Sequence, residues 1–381
     1  MRAIHVNTSA SWGGLEQYTL YMAKVFRGYG VDVTIMAVPQ SHLGRAAREA
    51  GFPMIDAHMG KHIDPVNIMR LRRALTDDTV VHTHTRIDVW TGSLACMGTR
   101  AAHVNSVHMI PADKRDPLHA LIYGRVDAIV NTCETHVRNI AVRFPVKPEC
   151  VHLIRHMRDP QLFVFDPNAR LRYRAEWGIG DDELVVGYVA RIDVLKGTRE
   201  FAASSDHFRE EDRERIRLVV IGEPSIGSIR PDGTSVPEPV AAEIVQWLDE
   251  RARLPHNRLV VRPFTTDVAG VMSAFDVFVL ATYGEMYALT VLEAMMVGLP
   301  VIGTDTDGTP DQLADGRGLL VASRSASAIA EGITTMLHHP ERRAAMAAKG
   351  HDWAVAEFTP ERVAPQWIEL YRNVIQQRQR S

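Results

Sequence analysis

The chain has 381 residues, 46% hydrophobic and 23% charged, with a net charge of −3 at pH 7. That length is too great for one ordinary core and calls for two domains. The composition is globular rather than fibrous or disordered, and no apolar run reaches the roughly 18 residues of a membrane span. The charge is uneven. Residues 1–160 carry 19 Lys/Arg against 14 Asp/Glu and 12 of the 17 histidines, whereas the remainder carries 24 against 32. A basic half suits an anionic partner or an anionic membrane surface, although charge also drifts between halves without function. The opening MRAIHVNTSASWGG turns polar too early for a secretory signal. Cys96, Cys133 and Cys150 lack metal-ligand spacing, and a reduced cytoplasm fits them best.

In chain order, RAIHVN reads as a strand and GGLEQYTLYMAKVFRGYG as a helix stopping near Gly28 or Gly30. VDVTIMAV is a strand, HIDPVNIMRLRRALTD a helix, and TVVHTHT, AAHVNSVHM, VDAIVNTC and CVHLIRH are further strands. After a polar connection, MRDPQLFVFDPNARLRYRAEWGIGDDE, the rhythm restarts with LVVGYVAR, IRLVVIGE, RLVVRPF, VFVLAT and LPVIGTD. This alternation predicts parallel sheets with helices on both faces. The expected fold is α/β, with two Rossmann-like doubly wound domains facing a central cleft. They are expected at residues 1–164 and 165–358, with a C-terminal helix, 359–381, packing back toward the first. Ligands of such sheets sit beyond the carboxyl ends of the strands, so the motifs at those ends carry the functional argument.

The first strand ends in NTSASWGGLEQY. Gly13 and Gly14 there let backbone N–H groups approach an anion at a helix N-terminus, or simply make a tight turn. No dinucleotide fingerprint G-x-G-x-x-G occurs, and Asn7-Thr8-Ser9 would not be glycosylated in the cytoplasm. GYVARIDVLKG places Arg191 and Lys196 after a strand, either as a diphosphate clamp or as solvated charges. His108 ends another strand, in either a structural or a catalytic position. His82 and His84 share a strand face but lack an evident third metal ligand, and are read as core or cleft-wall residues.

The run GEMYALTVLEAMMVGLPVIGTDTDG carries two carboxylates, Glu285 and Glu293. Thr290-Val291-Leu292-Glu293 has the form of a capping box, which would account for Glu293 alone. Glu285 lies in the preceding loop, out of that box. Tyr287, Ala288, Leu289 and Thr290 then open a helix whose first N–H groups form a second anion site. Two carboxylates around a phosphate site suit a sugar nucleotide, since a carboxylate accepts paired hydrogen bonds from vicinal hydroxyls.

With these motifs in this order, the chain resembles the GT-B glycosyltransferases of the retaining family 4. Glu285-x7-Glu293 matches that family's E-x7-E signature and LEAMMVGLPVI its continuation. VARIDVLKG stands for the usual GRL..EKG, and LVVIGE, Gly13-Gly14, VVHTHT and SVH fall in family order. The resemblance implies that Glu293 holds the donor ribose and Glu285 the transferred sugar. It implies that Arg191 and Lys196 neutralise the diphosphate, that His108 sits beside the sugar, and that Gly14 faces the distal phosphate. It also implies that the two domains close over the donor without a metal or other cofactor. There are departures. IRHMRDPQLF replaces IPNGVD...F, Ala288 stands in EMYA for a glycine, and DGT leaves only Gly308 of a Gly-Gly pair. Asp305-Thr306-Asp307 spells the D-x-D of another transferase fold, but in the wrong place for metal binding.

The expected reaction is retaining hexosyl transfer from a UDP- or GDP-sugar to an acceptor hydroxyl. The basic NIMRLRRAL and HMIPADKRDPLHALIYGR suit a lipid-linked or lipopolysaccharide acceptor at the inner membrane face, or are solvated surface. The expected setting is bacterial envelope polysaccharide assembly, in the cytoplasm or peripheral on the membrane. No nucleic-acid partner is expected. A sugar-nucleotide epimerase or a silent nucleotide-sugar-binding subunit are the alternatives. Glu293→Gln is expected to raise the donor KM while the melting temperature barely moves.

Overall fold

The computed structural model describes residues 1–59, 61–108, 113–229 and 235–380. The chain divides into two units, Met1–Met157 with Pro360–Ser381, and Arg158–Thr359. The first boundary thus falls at 157/158 rather than at the expected 164/165. The reason is local: the Arg158 N–H donates to the Phe358 carbonyl at 2.7 Å, and its side chain is also held within the second unit. Residues 109–112, part of the segment expected to meet an acceptor, lie outside the described residues.

In the first unit, β1 (Arg2–Val6), β2 (Asp32–Ala37), β3 (Met54–Asp56), β4 (Thr79–Thr83), β5 (Ala102–Ser106), β6 (Ala128–Asn131) and β7 (Val151–Leu153) form one parallel sheet ordered β3-β2-β1-β4-β5-β6-β7. Every residue of β4 and β5 is buried, as a sheet covered on both faces requires. The C-terminal helix, Pro360–Arg380, belongs to this unit and buries Val363, Trp367, Tyr371 and Val374, spaced at helical intervals.

The second unit holds β8 (Leu184–Val189), β9 (Ile216–Ile221), an antiparallel pair β10 (Ile226–Ile229) and β11 (Ser235–Pro237), then β12 (Leu259–Arg262), β13 (Val277–Leu280), β14 (Val301–Thr304) and β15 (Gly318–Val321). Its parallel sheet is ordered β12-β9-β8-β13-β14-β15. β3 and β15 were not expected from sequence. Both are short edge strands: Met54-Ile55-Asp56 is too brief to show a period, whereas the apolar Gly318-Leu319-Leu320-Val321 carries a strand signal that sequence reasoning passed over. The polar connection is not loose either. It contains a helix, Pro167–Glu176, capped by Asp166, whose Arg170 and Arg174 straddle Asp276 at 2.7 and 2.6 Å.

Both sheets reverse strand order once, between β1 and β4 and between β8 and β13. Ligands of doubly wound sheets bind at such switch points, beyond the carboxyl ends of the strands. Among the described residues, no helix is long and apolar enough to cross a membrane.

Candidate active site

In the second unit the switch point gathers two loops. The loop after β8 is shaped by its own residues. Asp193 caps the short turn Val194–Lys196 by accepting from the Leu195 N–H at 2.8 Å. Tyr188, buried in β8, donates to the Lys196 carbonyl at 3.0 Å. Gly197 then takes φ 66°, and a Cβ there would stand 1.9 Å from the Ala281 carbonyl oxygen, so only glycine fits. The loop after β13 is tied to this turn, since Tyr283 N–H and Thr282 Oγ1 both donate to the Leu195 carbonyl.

The result brings Lys196 Nζ to 2.5 Å from Glu285 Oε2, with both side chains about a quarter exposed. The proposed clamp cation and the proposed sugar-binding carboxylate therefore neutralise each other. Arg191 is half-exposed, and its Nη2 lies 3.8 Å from Asp193 Oδ2.

The capping-box account of Glu293 does not hold. The helix runs Leu289–Val297 with Ala288 as N-cap, which puts Glu293 at the fifth helical position rather than the third. Glu293 is buried and accepts from Arg158 Nε at 2.8 Å. Arg158 is the partner of Glu293 that sequence reasoning missed. It lies in IRHMRDPQLF, the segment noted only as a departure, and nothing local marks it as a partner of a residue 135 positions away. Oε1 of Glu293 is thus oriented by a guanidinium.

This pair corrects the expectation that Glu293→Gln leaves stability untouched. Arg158 and Glu293 are 9% and 10% exposed, and breaking a buried pair by removing one partner is costly. Arg158→Met is expected to destabilise by about 3 kcal/mol, and adding Glu293→Gln to recover most of it. Thermal melts of the four proteins check this; strictly additive losses would show that the two side chains are uncoupled.

The helix opening is partly spent on structure. Gln312 clasps Ala288 twice, accepting from its N–H and donating to its carbonyl, each at 3.0 Å. Tyr287 is buried, with its ring against Phe358. The first turn that remains is that of Leu289 and Thr290, both partly exposed. Ala288 sits at φ −66°, ψ 122°, where glycine offers no conformational advantage. Gly308 N–H donates to the Glu285 carbonyl at 3.1 Å and so steadies that loop.

In the first unit, Gly13 is the N-cap of the helix Gly14–Gly28, and its N–H donates to Glu16 Oε2 at 2.8 Å. A carboxylate of the chain itself thus occupies the Gly13 half of the expected anion site. The loop before it is anchored by buried Asp88, which accepts from Thr8 N–H, Thr8 Oγ1 and Thr85 Oγ1. His108 lies two residues beyond β5, and burial pushes it down to about 4. His82 and His84 do have a histidine neighbour. His5 on β1 joins them, and among the described residues this is the one group of three or more potential metal donors with atoms within 4.8 Å of one another. Asp305 and Asp307 join no such group.

Two parallel α/β units with loops of this kind at their switch points define the GT-B architecture of glycosyltransferases. The chain belongs to glycosyltransferase family 4: the sequence model "Glycosyl transferases group 1" matches residues 169–353 and "Glycosyltransferase Family 4" matches residues 12–162. It is 28% identical over 290 residues to a D-inositol 3-phosphate glycosyltransferase of Stackebrandtia nassauensis, an alignment that spans 73% of this chain and 62% of that relative. It is 25% identical over 318 residues to an alpha-maltose-1-phosphate synthase of Mycolicibacterium smegmatis, covering 78% and 79%. The fold is similar to that of Anabaena Alr3699/HepE in complex with UDP-glucose, with TM-score 0.81, 17% identity, and coverage of 98% and 100%. It is also similar to WaaG, a glycosyltransferase involved in lipopolysaccharide biosynthesis, with TM-score 0.67, 17% identity, and coverage of 96% and 98%.

Proposed function

We propose that this chain transfers a sugar from a nucleoside-diphosphate sugar to an acceptor hydroxyl, with retention of configuration and without a metal. The carrying observation is the meeting of Lys196 and Glu285 at the switch point of the second sheet. An ammonium there can stabilise the charge that develops on the departing diphosphate. The adjacent carboxylate can hold hydroxyls of the sugar. Glu293, oriented by Arg158, is the ribose ligand in this reading, and His108 keeps the place beside the sugar that the family resemblance gives it. The UDP-glucose complex of the Anabaena structure supports UDP ahead of GDP as the donor nucleotide.

Two acceptor classes remain in view. Assembly of an envelope polysaccharide, lipopolysaccharide included, is the first, and the WaaG likeness supports it. The names of the two curated relatives favour a small phosphorylated polyol or sugar as the second. Incubating the EDTA-treated protein with UDP- and GDP-sugars, and scoring free sugar and nucleotide release, tests the donor half. Turnover of one donor in EDTA is expected. Loss of turnover that Mn²⁺ restores would overturn metal independence and return Asp305 and Asp307 to the argument. Release of an epimerised sugar nucleotide would overturn transfer itself.

A further inference from the structure

Three histidines of the first unit stand in a line that the proposed reaction does not yet use. His108 Nε2 lies 3.4 Å from His84 Nδ1, and His84 Nε2 lies 3.0 Å from His5 Nδ1. The remaining nitrogen, His5 Nε2, is buried with no hydrogen-bond partner among the described residues. Ring planes differ by only 19° and 14°, with centroids 5.7 and 5.2 Å apart. Rings at that separation and tilt meet edge to edge through their nitrogens, as hydrogen-bonded imidazoles do. The line runs across the switch point, from β1 through the end of β4 to the loop after β5.

We infer that His84, anchored by His5, is a positioning residue that holds the ring of His108 in one plane and one tautomer. The inference rests on the proposed function only for its effect on turnover. Burial keeps all three rings neutral, with His5 near 3, His108 near 4 and His84 well below the usual histidine range. A neutral imidazole carries one N–H, so each ring must donate at one nitrogen and accept at the other. Only two proton orders satisfy both bonds of the line. Reversing the order moves a proton on every ring at once, so His108 cannot change tautomer alone. The Nδ1 of His108 is thereby fixed as either a donor or an acceptor before a ligand arrives.

A metal ion is the competing occupant of this cluster. His82 argues against it, because its two nitrogens are already engaged by Tyr371 Oη at 2.6 Å and Ser106 Oγ at 2.7 Å. The 3.0 Å between His5 and His84 nitrogens is also a hydrogen-bond distance. Nitrogens that share a tetrahedral zinc at about 2.0–2.1 Å stand farther apart, at roughly 3.3–3.4 Å.

The test is nitrogen NMR of ¹⁵N-histidine-labelled full chain, with His108 assigned from His108→Ala. In the parent protein His108 should show one protonated and one bare ring nitrogen. In His84→Phe it should show an average of the two tautomers, with kcat down about tenfold, below the roughly 100-fold cost of a 1 Å misplacement. His84→Asn keeps a polar atom near the Nδ1 position and should recover much of both. If His84→Phe fails to fold, His5→Phe reads the same coupling one ring farther away. An averaged His108 in the parent protein, or an unchanged one in a folded His84→Phe, would overturn the inference. So would a rise in Tm with movement of the His5 and His84 signals on adding Zn²⁺ to the EDTA-treated protein. A fixed tautomer together with full turnover in His108→Ala would instead sink the role of His108 and leave the line of rings standing.

Discussion

Lys196→Ala is expected to lower kcat by at least about 100-fold while shifting Tm by only a few degrees. A charge-stabilising donor removed from an active site costs about 2.7–4 kcal/mol of transition-state stabilisation. The stability side is smaller than for the buried Arg158–Glu293 pair because Lys196 and Glu285 each keep about a quarter of their surface in water. The two effects therefore separate. Arg191→Ala should follow the same pattern, since Arg191 is half-exposed and makes only a loose contact with Asp193. Glu285→Gln should lower kcat without restoring the Lys196→Ala enzyme, because in the proposed reading each group of the pair meets a different part of the donor. Turnover and melts of these variants decide the matter. Near-normal kcat in Lys196→Ala would remove the clamp, and rescue by the second substitution would reduce the pair to a structural ion pair.

The second large effect is acid sensitivity of the first unit. Burial holds His5 and His103 near 3, His108 near 4, and His82 and His84 well below the ordinary 6.5. The unfolded chain takes up protons near 6.5, whereas the folded one does not until about 3–4. Between these values the unfolded state binds more protons, so stability rises with pH there. It is complete above 6.5 and is lost as the pH falls. A histidine held neutral across that window contributes about 1.4 kcal/mol per pH unit, so His5, His103 and His108 together give roughly 4, and His82 and His84 act in the same direction. Asp88, pushed up by burial, opposes this by at most one proton at the acid end. Thermal melts from pH 8 to 5 should show a steep fall below pH 6.5. A slope below about two protons would mean that these rings are not held neutral by the fold.

The split between what was legible and what was not follows the range of the interactions. Central strands such as LVVIGE and VFVLAT announce themselves because both their faces are buried, so an apolar run is enough. The loops at their ends are readable for the same reason: once β8 and β13 are placed, Arg191, Lys196 and Glu285 must lie at sheet ends. Edge strand β3 is too short to carry such a signal, whereas the apolar GLLV of β15 carries one that sequence reasoning passed over. The capping-box reading of Glu293 failed because T-x-x-E caps a helix only if Thr290 is its N-cap, and here the N-cap is Ala288, two residues earlier.

By itself, then, the sequence determined the class of fold, the family, and the strand ends at which chemistry is possible. Those follow from local periodicity and from motif order along the chain. Only the tertiary structure decided who partners whom. It set Arg158 against Glu293 across 135 positions, Lys196 against Glu285 across 89, and His5 in line with His84 across 79. The Lys196–Glu285 and His5–His84 pairs come from strand order in a doubly wound sheet. β1 lies beside β4 and β8 beside β13, and no spacing along the chain encodes that adjacency. A buried charge or imidazole takes whatever partner the sheet brings within about 3 Å, because leaving it unpaired costs more than any local preference can return.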